Sequence, residues 1–343
     1  MIGSKVALIG DVHIGVNKNS DDFFNCTIKW FSDLIVQLNH LKIKHVFVLG
    51  DWHHYRDEIS VKALDISSQI MSMFPKDIHV HILTGNHDCY FKDNSDVHSL
   101  QMFKGWENVS IYDKITSLNT PDNSKTITVV PWGCETISKC DYVFGHFEIN
   151  NFKMNNYTIC NGGVDSSRIL KSQADVYTGH FHKFQKKDYK TGSITYVGSP
   201  IQHDFNDVGN DNGFHILDFN TGECEFIKND DSYPKFIQLK LSKIKDIDIS
   251  LVKNNYVKLI IDKDITENLL EKLIIKIKSY NIKNLIVDDL TIKNTLDKGD
   301  ISVNISELNI EKSIDDFIDF MSDVKYKSEI KLKFKQYYEE KFK

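Results

Sequence analysis

The chain has 343 residues, with 42 lysines and arginines against 48 aspartates and glutamates, a formal net charge of −6 and 41% hydrophobic residues. That length carries one sizeable hydrophobic core plus a smaller unit, and the composition is that of a globular protein rather than a fibrous or disordered one. The acidic balance excludes nucleic-acid binding through net charge alone, so any such contact rests on a local basic surface, bound cations or a partner.

No apolar run approaches the roughly 18 residues of a membrane span. The N-terminal MIGSKVALIGDVHIG is apolar only until a charged motif interrupts it, which reads as a first core strand rather than a signal peptide. The six cysteines, Cys26, Cys89, Cys134, Cys140, Cys160 and Cys224, include no CxxC pair. A reduced, cytoplasmic setting is expected, the host cytoplasm for a viral or phage protein.

In chain order, Val6–Gly10, Val46–Leu49 and Val80–Thr84 read as buried strands. Between them, Asp22–Leu41 and Ser60–Phe74 place apolar residues at helical spacing, including Phe24, Ile28, Phe31, Leu34, Ile35 and Leu38. Strand, helix, strand, helix, strand implies a parallel α/β core with right-handed crossovers. Further strands are expected at Thr126–Pro131, Tyr142–Gly145, Val176–Thr178, Ser193–Val197, Phe214–Asp218 and Glu223–Ile227. The last two flank Asn220-Thr221-Gly222, a hairpin turn. The pattern predicts a sheet sandwich flanked by helices over residues 1–230.

The polar stretch from Lys228 to Pro234 marks an expected boundary. Beyond it, Tyr256–Ile261 and Asn284–Val287 read as strands around a helix at Thr266–Tyr280, a small α+β domain over 231–305. Residues 306–343 have helical character, and Lys325–Lys343 holds seven lysines against three glutamates.

Five short motifs stand where strands should end: Gly10-Asp11-Val12-His13, Gly50-Asp51-Trp52-His53-His54, Gly85-Asn86-His87-Asp88, Gly145-His146-Phe147 and Gly179-His180-Phe181-His182. Ligands bind at the carboxyl ends of strands in open α/β sheets, and glycine there lets the chain turn sharply. Carboxylate, amide oxygen and neutral imidazole without thiolate suit Mn²⁺, Fe²⁺ or Zn²⁺. Two cations about 3.5–4 Å apart offset charge on both the attacking and the leaving oxygens at phosphorus. Asp51, central in the series, is the carboxylate to bridge them. Taken singly, each motif has an ordinary explanation: a lone Asp-x-His is weak, and a Gly-His-x-His can be two exposed loop histidines. Five in order, each after an apolar run, is what packing alone does not explain.

This order resembles the calcineurin-like metallophosphoesterase superfamily, and within it the nuclease subunit of the SbcC–SbcD type with its phage recombination-nuclease relatives. The narrower likeness rests on His54, the helix-rich insert 55–75, Tyr196-Val-Gly-Ser-Pro200 and the small domain that follows. The resemblance implies one ion held by Asp11, His13, Asp51 and His182, and a second held by Asp51, Asn86, His146 and His180, with Mn²⁺ expected. It makes His87 the catalytic histidine that protonates the leaving 3′ oxygen, His54 a phosphate-positioning histidine, and Asp88 the carboxylate orienting His87. It also implies DNA as substrate, a capping domain that contacts it, an SMC-like ATPase partner of the SbcC type, and a homodimer through the helices in 22–41 and 60–74. There is no Walker-type loop in this chain, so any ATP dependence belongs to the partner.

Other histidines receive ordinary readings. His79 and His81 alternate along one strand face and are assigned packing or surface roles, and His40 and His45 flank a helix–strand connection. The His53 side chain is expected to point away from that of His54, and His203 is read as a turn residue ahead of a catalytic one. Cys89 lacks an activating base. Two functions remain open: a DNA nuclease, or a phosphatase or small-molecule phosphodiesterase using the same cleft. A non-catalytic scaffold is the weakest reading, since every expected ligand is present. The segment Ile330–Phe342, with Phe334, Tyr337 and Tyr338, either docks on a partner or phosphate, or packs as a solvated terminal helix.

Overall fold

The computed structural model describes residues 3–120, 124–134, 137–291, 327–328 and 331–333. Strands β1 (Lys5–Ile9), β2 (His45–Val48), β3 (His79–Leu83) and β4 (Val109–Tyr112) run parallel in one six-stranded sheet. β11 (Gly213–Asp218) joins β1 antiparallel, and β12 (Cys224–Lys228) closes that edge. In the second sheet β6 (Thr126–Val130), β7 (Tyr142–His146), β8 (Asp175–Gly179) and β10 (Gly192–Tyr196) run parallel. The antiparallel edges β5 (Thr116–Asn119) and β9 (Gln185–Tyr189) flank them.

Side-chain alternation along β1 to β3 sorts residues onto two faces. Val6, Leu8, Phe47, Leu49 and Leu83 meet Ile127, Val129, Phe144 and Tyr177 from the second sheet, forming the core between the sheets. Ala7, Ile9, Val46, Val48, Val80 and Ile82 face the other way, onto Phe31, Leu34, Leu38 and Ile70 of the helices α1 (Asp21–His40) and α2 (Val61–Met73). α1 buries Phe23, Phe24, Trp30, Phe31, Leu34, Ile35 and Leu38, a stripe at three- and four-residue spacing, with Asp21 and Asp22 at its positive N-terminus. α2 starts where the Ser60 hydroxyl accepts the Ala63 N–H at 3.1 Å. The outer face of the second sheet buries Val130, Val143, Val176 and Tyr196 under Phe147, Phe152 and Ile169.

A third sheet of β13 (Phe236–Lys240), β14 (Tyr256–Ile261) and β15 (Asn284–Asp289) packs with α3 (Glu267–Lys278) around Leu239, Val257, Leu259 and Ile277. Residues to Ile261 together with Ile265–Asp288 make one compact unit. Within it, Phe236 stacks on Tyr256 at 4.8 Å and its N–H donates to the Gln202 side-chain Oε1 at 2.8 Å. The second unit comprises Asp262–Asp264 and Asp289–Lys343; in it the Asp289 carboxylate accepts the Thr291 N–H and hydroxyl. The lysine-rich aromatic segment Ile330–Phe342 lies largely outside the described residues. Among the described residues no helix is long and apolar enough to cross a membrane.

The mixed α/β sandwich matches the sequence expectation, with most boundaries within a residue or two. β4, β5, β9 and β13 were not anticipated. β5 (TSLN) and β9 (QKKDY) are short polar edges, whose alternation of half-buried and exposed positions carries little apolar signal.

Candidate metal centre

The five motifs converge at the carboxyl ends of β1, β2, β3, β7 and β8, the first three in one sheet and the last two in the other. His13, Asp51 and His180 all sit at positive φ, 52°, 54° and 95°. Each such backbone costs about 1–3 kcal/mol and persists only where neighbours hold it. The Val12 and His13 N–H groups donate to the Asp51 carbonyl at 3.0 and 2.9 Å, and the His180 N–H donates to the Asp11 carboxylate at 2.7 Å. Two glycines make room. Gly50 has φ 89°, and a Cβ there would run into the His146 ring; a Cβ on Gly85 would run into the Asp51 carboxylate.

Asp51 is the centre of the arrangement. Its Oδ1 accepts the His87 N–H at 2.8 Å, while Oδ2 lies 3.5 Å from Nε2 of both His13 and His146. On one side, Asp11, His13 and Asp51 bring ligand atoms within 4.8 Å of one another. His182 adds its Nε2 at 3.1 Å from that of His13. On the other side, Asp51, His146 and His180 form a second such group. There the Asn86 amide oxygen lies 2.9 Å from His146 Nε2 and 2.9 Å from His180 Nδ1. His146 donates its Nδ1 proton to the Leu49 carbonyl at 2.7 Å, which leaves Nε2 as a free donor atom for an ion. His182 Nδ1 faces the Asp207 carboxylate at 3.4 Å, the same outer-carboxylate device.

The residues fit a pair of divalent cations. Asp11 Oδ2 is buried with no hydrogen-bond partner, an unmet acceptor that a cation would satisfy. Burial pushes the Asp11 pKa up against the pull of His146 and His182, and burial together with the Asp51 charge pushes Asp88 up to about 7. Burial works against Asp51 too, yet the imidazoles of His146, His13 and His87 hold its pKa well below the usual carboxylate range. Asp11 and Asp51, the two carboxylates of the ligand groups, are the acceptors whose charge a cation would offset.

His54 and His87 sit beside the first group, rings 5.4 Å apart and nearly parallel, and His13, His54 and His87 can also converge on one point. The His87 ring is oriented by the His54 carbonyl, which accepts its Nδ1 proton at 2.5 Å. This differs from the expectation for Asp88. The Asp88 carboxylate instead accepts the N–H groups of Gly85, Trp52 and His53 at 3.0, 3.3 and 3.0 Å. It ties the β2 and β3 loops together, because those inward-pointing amides reach it first.

Several other residues were placed by sequence alone. The His53 ring points away from the cleft and bonds Ser99 and Ser67 at 2.7 and 2.8 Å. His81 packs on Phe47 at 4.2 Å and bonds Tyr112, His79 bonds Ser110, and His45 lies 3.0 Å from His81. Cys89 is fully buried, and burial pushes its thiol up to about 11, so it is no nucleophile. The sequence reading missed three residues in contact with the centre. His203 lies 5.1 Å from the His13 ring, Asp207 holds His182, and Trp132 stacks on His180 at 5.3 Å. None follows a strand-Gly pattern, and only the nearness of His203 to Gly198-Ser199-Pro200 hinted at its place.

The family model described as calcineurin-like phosphoesterase matches residues 4–194, which include every one of the five motifs. The chain belongs to the calcineurin-like phosphoesterase family. It is therefore a metal-dependent phosphoesterase, of a family that uses divalent cations. Among curated proteins it is similar to exonuclease subunit 1 of Enterobacteria phage T4, 25% identical over 285 residues, covering 79% of this chain and 82% of that protein. Among solved structures a dimetal phosphatase from Danio rerio aligns with 62% of this chain and 91% of its own, at 13% identity and a TM-score of 0.42, too low to carry an argument.

Proposed function

We propose that this phosphoesterase is a DNA nuclease with two divalent cations, one held by Asp11, His13, Asp51 and His182 and the other by Asp51, Asn86, His146 and His180. The observation that carries the reading is the Asp51 Oδ2 atom, equidistant at 3.5 Å from His13 and His146 and shared by both ligand groups. When bound, the cations supply Lewis-acid neutralisation of charge on phosphorus oxygens; Mn²⁺ suits the carboxylate and amide oxygens, and Fe²⁺ or Zn²⁺ suits the imidazoles.

The chain's own groups then do the rest. With Nδ1–H committed to the His54 carbonyl, His87 presents Nε2, which in the imidazolium form carries the proton given to the leaving 3′ oxygen and returns to a neutral ring protonated at Nδ1. The His54 ring, stacked alongside, positions the phosphate. Trp132 backs His180, and its N–H is fixed on the Lys92 carbonyl at 2.8 Å, which keeps that wall of the cleft rigid.

DNA as substrate is supported by likeness to an exonuclease subunit across most of the chain. That relative is a subunit, which supports an assembly with further chains; the partner in this reading is an SMC-like ATPase, and the role 3′–5′ exonuclease with endonuclease activity in recombination or repair. A homodimer through the helices α1 and α2 belongs to the same reading. The alternative, a phosphatase of small esters, shares the cleft. End-labelled duplex DNA, p-nitrophenyl phosphate and a bis-ester analogue tested side by side with Mn²⁺ separate the two. Hydrolysis of the small esters with DNA untouched at low salt overturns the nuclease reading.

A further inference from the structure

We propose that His203 is a fifth protein ligand to the cation assigned to Asp11, His13, Asp51 and His182, making that position richer in imidazole than its neighbour. The inference rests on the two-cation reading and adds a residue to it. The His203 ring lies 5.1 Å from that of His13 and 4.8 Å from that of His182, at interplanar angles of 82° and 87°. His13 and His182 are themselves 5.0 Å apart, so the three rings stand nearly equidistant around one point. One nitrogen from each lies within 4.8 Å of the others.

His203 is only 2% exposed, and its Nε2 is buried with no hydrogen-bond partner. A buried polar group left unmet is destabilising unless a ligand satisfies it. The main chain is pinned on both sides. The His203 N–H donates to Asp207 Oδ2 at 2.8 Å, and its carbonyl accepts from the Asn17 amide at 2.7 Å. The same Asp207 oxygen faces His182 Nδ1, so one carboxylate sets the position of both imidazoles. Asp207 is held in turn by the Asn210 amide at 3.2 Å. For His182 this is the ring-nitrogen support of a metal ligand; for His203 it fixes the main chain, while the ring Nδ1 of His203 lies 3.4 Å from His182 Nδ1 and leaves Nε2 unmet.

The chemical consequence is asymmetry. One ion meets two carboxylates and three imidazoles, the other one carboxylate, one amide oxygen and two imidazoles. Added nitrogen donors favour Zn²⁺, Fe²⁺ or Co²⁺ over Mn²⁺ at the first position. The test is calorimetric titration of the metal-free full chain with Zn²⁺ and, separately, with Mn²⁺, using wild type, His203→Ala, His203→Gln and Asp51→Asn. The visible absorption of the Co²⁺-loaded proteins is recorded alongside.

With His203 a ligand, one of two Zn²⁺ equivalents weakens by about tenfold or more in both His203 variants. The Mn²⁺ loss is smaller, the second equivalent is unchanged, and the Co²⁺ bands shift. Wild-type affinities and unshifted bands in a folded His203→Gln protein overturn the inference. If Asp51→Asn also keeps both equivalents, the two-cation reading falls with it; if Asp51→Asn loses them, only the role of His203 falls.

Discussion

His87 donates its Nδ1 proton to the backbone carbonyl of His54 at 2.5 Å, and this bond decides which ring nitrogen faces the substrate. Since a carbonyl can only accept, Nδ1 keeps its proton, and Nε2 is the nitrogen that holds the transferable proton when the ring is imidazolium. His87→Ala is therefore expected to lower turnover by about 10²–10⁴-fold, the usual worth of a positioned acid. Metal content stays at the wild-type value, because none of the two-cation ligands is removed. Elemental analysis of the purified variant beside a rate measurement checks both halves; loss of metal would contradict the assigned role.

Gly85 is predicted to control the metal centre without touching a metal. A Cβ at this position overlaps the Asp51 carboxylate and its backbone N–H. Asp51 also anchors the His87 N–H through Oδ1, so it cannot retreat freely. Gly85→Ala should weaken metal binding by at least tenfold while the fold persists, as followed by calorimetry and far-ultraviolet circular dichroism. Unchanged affinity would mean that Asp51 is less tightly placed than its contacts imply.

Stability should fall with acid through a residue far from the centre. His215 on β11 is enclosed by Phe184 and Phe226, and its Nε2–H donates to the Val197 carbonyl at 3.0 Å. Burial lowers its pKa to about 4 from the ordinary 6.5. Between those values the unfolded chain binds a proton that the folded one does not, so stability is intact above pH 6.5 and declines as pH falls toward 4. From pH 8 to pH 5 this one group costs about 2 kcal/mol. His215→Gln should flatten the pH dependence by that amount, whatever its stability at pH 8, in denaturant titrations at the two pH values. An unchanged slope would show that His215 is accessible to protons in the folded state.

The helices and the central parallel strands were legible in the sequence because burial imposes a period. Phe23 to Leu38 repeats every three or four residues, and β1 and β2 are largely apolar on both faces because each strand has a neighbouring sheet on one side and helices on the other, while β3 carries His79 and His81 on one face. Edge strands such as β9 lack that constraint, so lysines fill them without penalty. The five strand-end motifs could be found because glycine and a ligand-type residue recur together, and the structure brings Asp11, His13, Asp51, His54, Asn86, His87, His146, His180 and His182 into one cleft, while His53 and Asp88 turn away from it. Asp207 escaped notice, and His203 reads as a turn residue in the sequence, for the opposite reason. They reach the cleft from an irregular segment after β10, where no period or repeated spacing marks a ligand. The role expected of Asp88 failed because sequence adjacency to His87 says nothing of direction; three backbone amides claim its carboxylate.

The most direct test of the central claim is anomalous diffraction from crystals of the full chain grown with Mn²⁺, collected near the manganese edge. Two peaks about 3.5–4 Å apart are predicted, both touching the Asp51 carboxylate, one beside His13 and His182 and the other beside Asn86, His146 and His180. A single peak, or two peaks that do not share Asp51, would contradict the two-cation account.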